Sequence, residues 1–129
     1  MGAWGADPFD NDEAADWRYL LLDGGGPEVV ATALADPCDD AGAAARAVAA
    51  AAVVGASVGV GITVPRDMTD WLDRQETSAL AALAPDAAAA LDRVLAGSEL
   101  RELWDESGVD DWHTAVQRLH DDLAAAIGG

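Results

Sequence analysis

Lysine is absent from this chain, and Cys38, Phe9, Tyr19 and Asn11 are the only residues of their types. A single cysteine excludes any intramolecular disulfide, so a reducing compartment suits the chain. With one Phe and one Tyr, bulky core volume must come from the five Trp and the aliphatic residues. Strand formers are sparse apart from a few Val, which leaves helix as the default. The basic residues are seven Arg against 24 acids, a formal net charge of -17. Such a chain is repelled by DNA, RNA and anionic lipid surfaces, which argues against nucleic-acid and membrane partners.

What is abundant is alanine, 30 residues in a chain of 129. Alanine is the best helix former and adds little volume to a core. An Ala-, Gly-, Asp-, Val- and Arg-rich chain without lysine has the composition expected from a GC-rich bacterial genome. Nothing at the start reads as a basic region followed by an apolar stretch, so no secretory leader is expected and the cytoplasm is the expected setting. The length suits one domain with a real core. The uncharged stretch 47–64 has the length of a membrane span but is built from Ala, Gly, Ser and Val. A buried central helix explains it better.

Periodicity and punctuation predict a series of helices. Residues 1–9 mix Gly2, Gly5 and Pro8 with Trp4 and Phe9, and read as an irregular arm whose aromatics tuck onto the body. Asp10 is placed as the cap of a first helix, with Glu13 three residues on and Ala14, Trp17, Leu21 and Leu20 on its apolar face. Gly24, Gly25 and Gly26 stop it. Pro27 suits the first turn of a second helix carrying Val30 and Leu34. A third begins near Asp39 or Asp40 and runs through the alanine tract, with fraying or a bend expected where Gly55, Gly59 and Gly61 fall.

Beyond Pro65, Asp67 is read as the cap of a helix bearing Met68, Trp71 and Leu72. Thr77 or Ser78 starts the next, with Leu80, Leu83, Ala87, Leu91, Val94 and Leu95 at helical spacing. Pro85 either kinks it or divides it into two abutting helices. Gly97 ends this segment, and Ser98 opens one with Leu100, Leu103 and Trp104 before Gly108. Asp110 caps the last helix, where Trp112, Val116, Leu119, Leu123 and Ile127 line one face. Charge divides as -9 over residues 1–40, +1 over 41–65 and -9 over 66–129. The expected architecture is therefore all-α. It is a compact bundle of six to seven helices around the Ala-rich helix, one domain over 1–129, with an irregular aromatic arm at the N-terminus.

The densest run of information is Gly2-Ala3-Trp4-Gly5, then Pro8-Phe9-Asp10-Asn11-Asp12, then Ala14-Ala15-Asp16-Trp17. This run resembles the opening of Domain of Unknown Function 4259, an uncharacterised bacterial family. The residues that carry the resemblance are Gly2, Trp4, Gly5, Phe9, Asn11, Asp12, Asp16 and Trp17. Pro65, Trp71, Leu91-Asp92-Arg93-Val94, Ser98-Glu99-Leu100 and Leu103-Trp104 look like further family landmarks, so the resemblance spans most of the chain. It implies a small helical cytosolic protein and transfers no catalytic residues.

The candidate binding residues are Trp4, Phe9, Asn11, Asp12, Asp16 and Trp17. With Asp7 and Asp10 they include an oxygen-rich set suited to Ca²⁺ or Mg²⁺, but an EF-hand's Gly and bidentate Glu are missing. The leading reading of this set is structural: Asp10 caps, and Asn11 or Asp12 ties the arm down, with partner or metal binding as the alternatives. His113 and His120 share a helix face two turns apart, roughly 10 Å, which is too far for one metal ion and suits an exposed polar face. Cys38 lies among Asp36, Asp39 and Asp40, whose charge disfavours the thiolate. Glu99, Glu102 and Glu106 are the sort of pairing that so many acids make by chance. Ser57, Ser78, Ser98 and Ser107 sit in no nucleophile context, and Gly24–Gly26 lacks the lysine of a phosphate loop. No catalytic residue, metal-ligand set or cofactor is therefore assigned.

The leading functional expectation is a non-catalytic acidic module that engages a basic protein, in its more specific form an immunity-type inhibitor of a basic toxin. A small enzyme using the N-terminal carboxylates and a divalent ion is the first alternative. A structural homo-oligomeric module is the second.

Overall fold

The computed structural model describes residues 12–35, 41–59, 66–75, 77–97, 102 and 111–128. The aromatic arm expected over 1–9 and the helix expected after Ser98 lie outside these, apart from Glu102, which is helical and exposed. Among the described residues there are seven helices and no strand: α1 (Asp12–Leu22), α2 (Pro27–Ala35), α3 (Ala41–Ser57), α4 (Arg66–Asp73), α5 (Thr77–Ala81), α6 (Ala84–Gly97) and α7 (Asp111–Gly128).

The bundle is organised by α3, which packs against all six other helices. From Ala43 to Val54 every residue except Arg46 is buried, so α3 is apolar all round, as a helix enclosed by others must be. Alanine explains how this is possible. Helix axes approach according to the side chains between them, and a methyl group lets neighbours close in from every direction. Volume comes from the surrounding helices: Trp17, Leu21, Val30, Leu34, Met68, Trp71, Leu80, Leu91, Val94, Val116, Leu119 and Leu123. Among the described residues no helix is long and apolar enough to cross a membrane.

The helix ends follow local chemistry. After α1 the chain reverses at Gly24, whose φ of 88° lies in the left-handed region. The Gly25 N–H donates to the Leu21 carbonyl at 2.8 Å. A Cβ on Gly25 would meet the Leu21 Cα and O at 2.9 Å, so this turn is too tight for any side chain. Pro27 occupies the first position of α2, where its missing N–H costs nothing. α3 runs unbroken through buried Gly55 to Ser57, and the expected interruption falls at Gly59, with φ of 84°.

Three expectations need correction. α4 begins at Arg66, so Asp67 is not its cap but a member of its first turn, where its charge still opposes the helix dipole. Leu20 does not join the buried face of α1: it is 61% exposed, because Ala14, Trp17 and Leu21 already define the side turned to the core. Ile127 continues the apolar spacing of α7 but is 47% exposed, since the final turn, Ala124 to Ile127, extends past the bundle. At Pro85 the chain forms two abutting helices rather than a kinked one. A turn at Ala82–Leu83 separates α5 from α6, and Pro85 falls in the first turn of α6.

Candidate functional site

Of the six candidate binding residues, Trp4, Phe9 and Asn11 lie outside the described residues, and Asp12 is described only as the first residue of α1. Asp16 and Trp17 are adjacent on α1, about 100° apart around its axis. Asp16 is exposed, whereas Trp17 is 4% exposed and part of the core. The indole is thus a packing element whose edge reaches the surface beside Leu20.

That edge forms part of a groove. α1 and α2 both rest on α3 and pack far less on each other than on it. Between them is an open depression of about 280 Å³ lined by Trp17, Leu20, Val29, Thr32, Ala33 and Arg46. Its floor is mostly apolar, and Leu20 stands on its edge. Helical spacing puts Asp16 one turn before Leu20 on the same side of α1, and Asp23 lies in the turn just past the helix, its N–H donating to the Tyr19 carbonyl at 3.0 Å. On α2, Glu28 precedes Thr32 by one turn, and the Thr32 hydroxyl donates to the Glu28 carbonyl at 2.8 Å. Asp16, Asp23 and Glu28 are all exposed. Periodicity finds the buried face of each helix but not a groove, because a groove depends on how far apart two helices come to rest.

The loop at one end of this groove is held from below. The Trp71 indole Nε1–H donates to the Gly25 carbonyl at 3.0 Å, joining α4 to the α1–α2 connection. On the neighbouring face, the Arg18 Nε is 3.7 Å from Asp67 Oδ2 and its guanidinium lies 5.2 Å from the centre of the Tyr19 ring. A second depression, about 190 Å³, lies between α2 and α6 beside Leu34, Asp86 and Arg93. There the Arg93 guanidinium donates to the Leu34 carbonyl at 2.5 Å, satisfying an acceptor in the last turn of α2.

The two histidines diverge from the shared exposed face expected of them. His113 is half-buried. His120 lies between helices: its Nε2 is 2.9 Å from Asp92 Oδ1 on α6, and its Nδ1 is 3.2 Å from Asp121 Oδ1. Gln117 Nε2 also donates to Asp121 Oδ1, at 3.0 Å. The His120 hydrogen bond, and then that of Gln117, hold the Asp121 carboxyl below its ordinary value. The two carboxylates occupy opposite nitrogens of one ring and so do not converge on a shared ion. Among the described residues no three His, Cys, Asp or Glu side chains are placed to hold a metal. Ser57 spends its hydroxyl on the Val54 carbonyl at 2.6 Å, and Ser78 is exposed. Cys38, Glu99 and Glu106 lie outside the described residues.

No curated protein and no solved structure matches the chain. A family model described as Domain of unknown function (DUF4259) matches residues 2–115, most of the chain, and the protein belongs to that family.

Proposed function

We propose that this chain is a non-catalytic acidic module that engages a basic protein. One observation carries the reading: every described acidic side chain is exposed, from Asp16, Asp23 and Glu28 through Asp67, Asp70, Asp73, Asp86 and Asp92 to Glu102, Asp121 and Asp122. The charge of these eleven acids is therefore displayed outward over a helical frame and not consumed in a polar interior. A field of one sign raises the encounter rate with a partner of the opposite sign and discourages self-association. In its more specific form the partner is a basic toxin domain and the chain its immunity-type inhibitor.

Co-expression with the products of the flanking genes tests the proposal. A stoichiometric complex with a basic product, weakening as salt rises from low to physiological, supports it. If no basic flanking product forms a complex, the reading is lost. A melting temperature raised by Ca²⁺, Mg²⁺, Mn²⁺ or Zn²⁺ would turn attention to cation chemistry instead.

A further inference from the structure

Leu20 is a large aliphatic side chain left 61% exposed at the edge of an apolar groove, and the neighbouring Tyr19 is 60% exposed. Isolated exposed apolar residues are ordinary on protein surfaces, but Leu20 adjoins a concave floor formed by Trp17, Val29 and Ala33. No described residue fills that space. Around it the exposed charges are acidic: Asp16 of α1 and Asp23 just past its end flank Leu20, and Glu28 of α2 stands on the opposite bank, while Arg18 of α1 is half-buried beside Asp67 and Tyr19. The one cation in the lining, Arg46 of α3, is half-buried and already engaged within the chain.

We propose that the α1–α2 groove is the docking site of a basic amphipathic helix, which inserts an aliphatic side chain against Trp17, Leu20, Val29 and Ala33 and sets Arg or Lys residues on Asp16, Asp23 and Glu28. The inference rests on the acidic-module reading and adds where and how the partner binds. A helix is the form that fits: the groove runs between two helices, and the described fold offers no strand edge for an extended peptide to join. The anchor supplies apolar burial at the centre, and the acids supply steering and orientation at the rim. A second copy of this chain is the wrong occupant, since it would bring another -17 of charge to an acidic rim.

The test uses two synthetic helix-forming peptides of equal positive charge. One is Arg-rich with Leu at every third or fourth position, and the other has those Leu replaced by Ser. Binding to the full chain is followed by fluorescence anisotropy, and the surface is mapped by amide chemical shifts. The Leu peptide is expected to bind about tenfold or more tighter, the effect of burying an aliphatic anchor, and to shift the amides of Leu20, Val29 and Ala33. Leu20→Ser, at an exposed position, and Thr32→Trp, which fills the groove from an exposed position, are both expected to remove that preference while leaving helicity intact. Equal binding of the two peptides, or a preference unaffected by both variants, would overturn the groove and leave the acidic-module reading standing on charge alone. Failure of both peptides to bind also overturns the groove. The acidic-module reading is then judged separately by the flanking-gene complex, which does not depend on Leu20.

Discussion

His120 Nε2 stands 2.9 Å from Asp92 Oδ1 and joins α7 to α6. The ring is mostly covered, with its side chain 20% exposed, while the Asp92 side chain is 68% exposed. Its other nitrogen faces Asp121 on its own helix at 3.2 Å. A neutral imidazole has one N–H, so it can donate to only one of these carboxylates; the imidazolium can donate to both. This pairing sits at the edge of the α6–α7 interface, whose centre is the apolar packing of Leu91 and Val94 with Val116, Leu119 and Leu123.

A double-mutant cycle over His120→Ala and Asp92→Ala measures that tie. A hydrogen bond to a mostly exposed carboxylate couples weakly, so the interaction energy is expected to be about 0.5–1 kcal/mol at low salt. A coupling of zero at low salt would show that the contact adds nothing to the apolar interface.

The Asp121 carboxyl makes the acid side of the stability profile testable. Its folded value lies below the ordinary one because His120 and Gln117 hydrogen-bond to it. A depressed carboxyl contributes stability above its unfolded value, about pH 4, and loses that contribution as pH falls through the lower folded value. Asp121→Asn is therefore expected to lower stability near neutrality, where the carboxylate's contribution is fully present, and to converge with the wild type below about pH 4, so that its decline in acid is shallower. Denaturation midpoints for both proteins at several pH values decide it, and parallel decline in the two would refute the assignment.

The α1–α2 connection depends on one indole and one glycine. Trp71→Phe removes the donor to the Gly25 carbonyl and leaves a small void at a position 2% exposed. The expected cost is about 2–3 kcal/mol, seen in denaturant unfolding. Gly25→Ala places a methyl group 2.9 Å from the Leu21 backbone, which cannot yield as a side-chain tip could. It is expected to cost about 1–3 kcal/mol even though the position is only half-buried. A Gly25→Ala protein as stable as wild type would mean that the turn opens at little cost.

Alanine in α3 is required for its small size. Ala50 is fully buried, and Ala50→Leu is expected to destabilise by about 1–3 kcal/mol through overpacking. The same change at Ala124, exposed on the last turn of α7, is expected to stay within about 0.5 kcal/mol. Thermal melts distinguish the pair, and equal effects would contradict the central placement of α3.

Trp4→Ala tests the expectation that the N-terminal aromatics pack on the body. Truncation of a buried Trp is expected to lower the melting temperature by several degrees, for a cost of about 3 kcal/mol. An unchanged melting temperature with Trp4 open to a quencher would instead mark the arm as a binding element.

Much of the fold was legible because helix periodicity is a local property. Steps of three and four among Ala14, Trp17 and Leu21, or Val116, Leu119 and Leu123, identify a buried face without knowledge of the neighbour. Gly24, Pro27, Gly59 and Pro85 mark ends because their backbone limits act within one or two residues. The centrality of α3 was legible too, since an uncharged Ala- and Val-rich helix has no face that prefers water.

Tertiary structure alone decided the rest. Leu20 and Ile127 carry apolar side chains at plausible positions, yet exposure depends on where the neighbouring helix lies and where the bundle ends. His120 was legible as a histidine on a helix, but Asp92 is 28 positions earlier in sequence and becomes its partner only when α6 and α7 pack side by side. The Trp71–Gly25 hydrogen bond and the α1–α2 groove arise in the same way, from the angles and spacings at which separate helices settle on α3. Local sequence determines which side of each helix avoids water. The distances between helices follow from packing the whole set at once, and a site formed between them belongs to that packing.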